Sequence, residues 1–417
     1  MSPSLIYAAY RHLQHWQPAR KILPAEELLE RNQPLFALFS YCYALTENLY
    51  RQLPSRKNGE VAFLHPFNVV SLLKKAKITD QLTLCAGMLH DYVEEKVDMY
   101  KRQLEREGVL RNKVFQNNEK KKIEALERYE AQAFQELEDD LLDFTKEITE
   151  KGLPRQQLSL GLRQNKAAIS PLIGILKLLT RHKRHFYYKS ISAIFDCPDQ
   201  QLKERAIQVK LADRLHNILC LDCFEEKGQL FQCFKNLFIL NNVKAFLAEE
   251  YGVPVLQGES FSATEKLFNK CARATYDAFL AVAHNSRKNG IAPVTSMLQL
   301  AFKKYALEKG GLWAVTEPNE KEVHLLRLYQ GVIRKYDARL HHEFEQHEAM
   351  KKKELQYCRE FFNHYNFSQE QLEALLCYKD AYSLKEIVAY LIYDPDYVLS
   401  KFLCAELNKE GRIKGDY

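Results

Sequence analysis

The chain has 417 residues, enough for two or three domains, with only 15 Gly and 13 Pro. That scarcity excludes a Gly-rich phosphate loop, a turn-dense β-sandwich and a Pro-rich linker protein, and leaves a mostly helical, all-α chain. Hydrophobic residues at 46% and charged residues at 27% are globular proportions, and a net charge of +6 suits an anionic small substrate without pointing to nucleic acid.

In chain order, Pro24 precedes a helix start with early acids at Glu26 and Glu27, and Pro34 opens an apolar helix through Tyr50. Residues 54–60 read as a loop. A helix follows from Pro66, and another runs from about Thr79, capped by Thr79 or Asp80, into His90 and Asp91. Residues 101–150 hold 23 charged residues, yet Phe134, Leu137, Leu141, Phe144 and Ile148 recur at steps of three and four. They form one stripe of a solvated helix packed on the body, and a hairpin that gates a site or mediates dimerisation is the functional alternative. A loop is expected up to Ile169-Ser170-Pro171, then a helix through Leu179. A helix follows from Asp199 to about Cys223.

Beyond residue 230 the chain stays helical, with breaks expected at Gly252–Gly258, Asn285–Pro293, Gly310–Asn319 and Asp394–Asp396. Glu320–Tyr365 reads as one long helix or two. The domain reading is 1–229 with a helical insertion at about 98–160, followed by a helical region over 230–417. The ten cysteines are scattered, several inside apolar helical runs, which fits a reducing, cytoplasmic setting. Cys220 and Cys223 lack the second pair that a structural zinc site needs. The N-terminus has no basic-then-apolar leader pattern, and the uncharged run at 33–46 is too short for a membrane span.

Four polar blocks stand out: Arg56-Lys57-Asn58-Gly59-Glu60; His65-Pro66; His90-Asp91-x-x-Glu94-Glu95; and Lys210-Leu211-Ala212-Asp213-Arg214-Leu215-His216-Asn217. Two imidazoles with two carboxylates make a mixed N/O ligand set, better matched to Mn²⁺, Fe²⁺ or Zn²⁺ than to Ca²⁺ or Mg²⁺. Such an ion makes water acidic enough to act as a nucleophile near neutral pH. On a continuous helix Glu94 would face the side of His90 and Asp91, with Glu95 beside it, where either acid can take a proton. Asn217 lies one turn after Asp213, and Lys210 one turn before it.

These blocks, with Leu179-Thr180-Arg181 and Tyr187-Tyr188 between them, resemble the hydrolase half of RelA/SpoT-type proteins. Those are HD-superfamily enzymes that remove the 3′-pyrophosphate of ppGpp and pppGpp. The likeness covers roughly residues 30–225, interrupted by the charged insertion. It implies an HD-type helical bundle in which His65, His90, Asp91 and Asp213 hold one Mn²⁺ and Glu94 and Glu95 position and activate the attacking water. It also implies that Arg56, Lys57, Asn217, Arg181 and Lys210 contact a guanosine nucleotide. The family usually has Glu-Asp where this chain has Glu94-Glu95, and Met-Arg-Thr-Leu where it has Ile218-Leu219-Cys220-Leu221. No synthetase signature follows residue 230, so hydrolase without synthetase activity is expected.

Two other functions fit the same residues: an HD phosphohydrolase acting on a dNTP, a cyclic dinucleotide or NADPH, and a retired HD domain serving as sensor or scaffold. No membrane partner is expected, and self-association or a protein partner would use the insertion or the C-terminal helices. Tyr187 and Tyr188 read as core aromatics and His216 as a packing or solvent-facing residue. The His341–His347 run imitates a zinc-protease motif, but His342 and His347 are five apart rather than four, which separates them around a helix.

Overall fold

A computed structural model describes residues 16–56, 59–107, 119–150, 155–180, 187–224, 226–251, 262–298, 330–341 and 343–393. Among them all regular structure is helical, as the low Gly and Pro content requires. None of these helices is long and apolar enough to cross a membrane. The chain forms two compact units, Pro18–His216 and Met1–Gln17 with Asn217–Tyr417.

The unit Pro18–His216 contains α1 (Ala25–Leu28), α2 (Phe36–Tyr50), α3 (Leu64–Lys75), α4 (Gln81–Leu89), α5 (Tyr92–Arg106), α6 (Glu119–Glu150), α7 (Arg155–Leu179), α8 (Tyr187–Phe195) and most of α9 (Gln200–Leu219). Asp80 caps α4, accepting from the Thr83 amide at 3.2 Å and the Thr83 hydroxyl at 2.6 Å. The same carboxylate accepts from Arg205 Nε at 2.8 Å, so one cap ties α9 to the start of α4. Gly87 lets α4 lie close to α3: a Cβ built there would stand 2.7 Å from Leu73 Cδ1, inside a fully buried contact.

The charged segment packs through its stripe. Phe134, Leu137 and Leu141 of α6 are buried, while Tyr100 stacks on Tyr129 at 4.0 Å and Tyr41 on Phe144 at 4.0 Å. Lys96 of α5 pairs with Glu136 at 2.6 Å. Two boundaries differ from the sequence reading. Pro171 lies inside α7 instead of at a helix start. Ile169, Leu172, Ile173, Ile175 and Leu176 around it are all buried, and their packing outweighs the single backbone hydrogen bond that proline forgoes. The helix entering His90-Asp91 stops there: α4 ends at Leu89 and α5 begins at Tyr92.

The second unit holds α10 (Glu226–Tyr251), α11 (Ala263–Arg287), α12 (Gln330–Leu340), α13 (Phe344–Phe361) and α14 (Gln369–Tyr393). Ser262 and Glu265 form a reciprocal capping box at the start of α11, through contacts of 3.2 Å and 2.6 Å. Small residues on α11, including Ala272, Ala274 and Ala278, are buried beside Phe268 and Phe279. Of the four expected breaks, the one at Asn285–Pro293 is present, since α11 ends at Arg287. The other three lie wholly or mainly outside the described residues. Among the described residues of the 320–365 stretch, α12 ends at Leu340 and α13 begins at Phe344, so His341 and His347 do not share a helix.

Three helices of this unit meet at a buried square of charges. Lys335 of α12 pairs with Glu354 of α13 at 2.5 Å and with Asp380 of α14 at 2.6 Å. Lys379 of α14 pairs with Glu354 at 2.6 Å and with Asp380 at 2.9 Å. Tyr336 adds a hydroxyl that donates to Asp380 at 3.0 Å.

Candidate metal centre

His65 stands in the first turn of α3, where Pro66 is tolerated because first-turn amides have no helical partner. His90 follows the last residue of α4, and its Nδ1 lies 2.8 Å from the Gly87 carbonyl oxygen. A carbonyl only accepts, so Nδ1 carries a proton and Nε2 is the nitrogen left to face the cluster. Asp91 occupies the N-cap position of α5, yet its side chain makes no capping bond. It forgoes a cap worth about 1 kcal/mol and lies instead on the imidazoles. Its Oδ2 is 3.1 Å from His90 Nε2 and 3.3 Å from His65 Nε2.

The two Nε2 atoms are 3.2 Å apart, and Asp213 Oδ1 of α9 is 3.5 Å from His65 Nε2. His65, His90 and Asp213 are buried, and their ligand atoms lie within 4.8 Å of one another. Two nitrogens bound to one ion at about 2.1 Å each can be at most about 4.2 Å apart, and this pair satisfies that limit. The ligand candidates therefore come from two helices, α3 and α9, and from the junction between α4 and α5.

The electrostatics agree. Burial works against charge on His90, but the Asp91 and Asp213 carboxylates overcome it and raise its pKa to about 9. Burial lowers the pKa of His65 despite the same neighbours. Burial also opposes ionisation of Asp91, yet His90 and His65 hold it well below the usual carboxylate range. Asp213 is depressed in the same way, chiefly by Lys210 once burial is overcome. Acceptors facing one another in a buried place call for a cation among them, either a proton on His90 or a divalent ion.

The other expected residues fall around this cluster. Glu94 is buried and Glu95 half-buried in the first turn of α5, where the Glu95 amide donates to Asp91 O at 2.8 Å. The buried Tyr50 hydroxyl feels Asp91, Glu95 and Glu94, which together with burial raise its pKa well above the usual value. Lys210 contacts Asp213 Oδ2 at 2.9 Å and so steadies a candidate ligand. Burial lowers its affinity for a proton, and Asp213 more than restores it. Arg56 opens a turn closed by Gly59 N donating to Arg56 O at 2.8 Å, with Gly59 at a φ of 82° that favours glycine. Asn217 lies on α9 one turn after Asp213. Lys57 and Arg181 lie outside the described residues.

His216, read as packing or solvent-facing, packs, and it does so against the cluster itself. It is 1% exposed, and its Nδ1 lies 2.9 Å from His65 Nδ1 and 3.5 Å from Arg56 Nη1. Burial, His65 and Arg56 keep it well below the usual histidine pKa. The missed signal was spacing: His216 follows Asp213 by three residues and shares its helix face. Tyr187, expected in the core, is buried. No known protein family, curated protein or solved structure matches this chain.

Proposed function

We propose that this chain is an HD-type, Mn²⁺-dependent hydrolase that removes the 3′-pyrophosphate of ppGpp and pppGpp, giving GDP or GTP and pyrophosphate. The observation that carries the reading is the buried group of His65, His90 and Asp213, with the half-buried Asp91 against both imidazoles. These residues would hold the ion, with Fe²⁺ or Zn²⁺ as substitutes that the same donors accept. When bound, the ion supplies Lewis acidity to the phosphorus centre and to water.

The remaining chemistry belongs to side chains. Glu94 or Glu95 takes the proton from an attacking water as its oxygen bonds to the 3′-phosphorus. The bond from that phosphorus to the ribose 3′ oxygen breaks, and the departing oxygen takes up a proton. Lys210 holds Asp213 in place, and Arg56 would bring a positive charge to the nucleotide phosphates. Asn217 adds an amide donor and acceptor on the same helix.

The test is pyrophosphate release from ppGpp by purified protein with Mn²⁺, beside His90→Ala. Release by the wild type and none by the variant supports the reading. Equal traces sink it. A nucleotide panel with phosphate and pyrophosphate detected separately covers the alternative substrates, which the altered Leu219-Cys220 pair motivates. Release only from a dNTP, a cyclic dinucleotide or NADPH would keep the hydrolase and discard the alarmone.

A further inference from the structure

We infer that His216 is a positioning residue of the metal centre, setting which nitrogen of His65 faces the ligand cluster. The inference rests on the centre proposed above and deepens it. Arg56 carries only N–H donors, so the nitrogen it faces, His216 Nδ1 at 3.5 Å, accepts. His65 Nδ1 points at that same nitrogen from 2.9 Å. An acceptor there requires His65 Nδ1 to carry the hydrogen. The lone pair of His65 is thereby left on Nε2, the atom that faces His90 Nε2, Asp91 and Asp213.

The two candidate histidine ligands are thus oriented by different means. His90 uses the Gly87 carbonyl, which has no choice of role. His65 uses an imidazole, which could donate or accept, and Arg56 removes that ambiguity. A ligating histidine needs such a partner on its second nitrogen, and loss of the partner usually costs about 10–100-fold in metal affinity. The chain Arg56–His216–His65 also joins a residue proposed to hold the nucleotide to a residue proposed to hold the ion.

The test is Mn²⁺ affinity of the full chain, measured by calorimetry and by the spin-resonance signal of free Mn²⁺, with melting of the metal-free proteins as the check on folding. His216→Phe removes the acceptor and should weaken Mn²⁺ binding by about 10–100-fold. His216→Asn carries an amide oxygen near the place of Nδ1 and should restore most of that loss. His216→Gln reaches past it and should not. If His216→Phe fails to fold, the contrast between Asn and Gln decides. Wild-type affinity in His216→Phe overturns the inference, as does His216→Asn binding no better than His216→Gln. A wild-type chain that takes up no Mn²⁺ would overturn the metal centre itself, and the role of His216 with it.

Discussion

Each unit of the chain buries a cluster of acids and bases, and the two clusters are built on opposite plans. In the second unit, Lys335, Lys379, Glu354 and Asp380 form a closed ring in which no side chain is more than 5% exposed. Every carboxylate there meets two ammonium groups, and the charges cancel. In the first unit, two imidazole nitrogens and two carboxylates point at one another, and Lys210 contacts only the far oxygen of Asp213. One cluster is complete in itself, whereas the other sets two imidazoles among carboxylates, where a proton on His90 or a divalent ion would balance the charge. Burial of polar groups therefore does not identify a site. The direction of their donors and acceptors does.

The largest expected effect would break the closed ring. Lys335→Met leaves Glu354 and Asp380 with one ammonium group between them and should cost about 3–5 kcal/mol in denaturant unfolding. Replacing all four charges by apolar residues of similar volume should be neutral or stabilising. A Lys335→Met protein as stable as wild type would mean that the ring does not hold the three helices. Second, Mn²⁺ at a hundredfold excess over its dissociation constant should add about 2.7 kcal/mol of stability. The gain should persist in Lys335→Met and vanish in His90→Ala, which separates the two clusters.

Third, Gly87→Ala should cost about 1–3 kcal/mol, because its methyl meets Leu73 in a packed contact. It should weaken Mn²⁺ binding as well, since the Gly87 carbonyl orients His90. The smallest effect, taken per pH unit, is a pH response outside both clusters. Burial, with Glu343 adding to it, raises the carboxyl of Asp337 to a pKa of about 8. The folded chain then holds a proton that the unfolded chain releases near pH 4, so stability falls as pH rises between those values. Asp337→Asn should flatten that slope, worth about 1 kcal/mol between pH 6 and 7. An unchanged slope would place the titration elsewhere.

Much of this was legible in the sequence. Helical content followed from Gly and Pro, and the α6 stripe from steps of three and four. The cluster followed from residue types in ordered blocks. What escaped depended on three-dimensional neighbours. Proline at 171 argued for a helix start, but the surrounding apolar packing carries the helix through it. From the sequence, one helix is expected from about Thr79 into His90-Asp91, yet the helix stops at Leu89 and Asp91 turns its carboxylate to the imidazoles. His216 looked ordinary because its partner, His65, is remote in the chain. The buried ring drew no notice for the same reason: Lys335, Glu354 and Lys379 are each common helix-surface residues.

The order in which the candidate ligands occur along the chain also bears on how the protein folds. His65 and the His90-Asp91 pair are near neighbours, but Asp213 is supplied only after the whole of α5 to α8 has passed. Closing so long a loop is slow relative to forming local helices. Mn²⁺ uptake at the proposed centre should therefore develop with the last folding phase, after helical signal has been regained. In stopped-flow refolding, the ion would then act as a clock for the docking of α9.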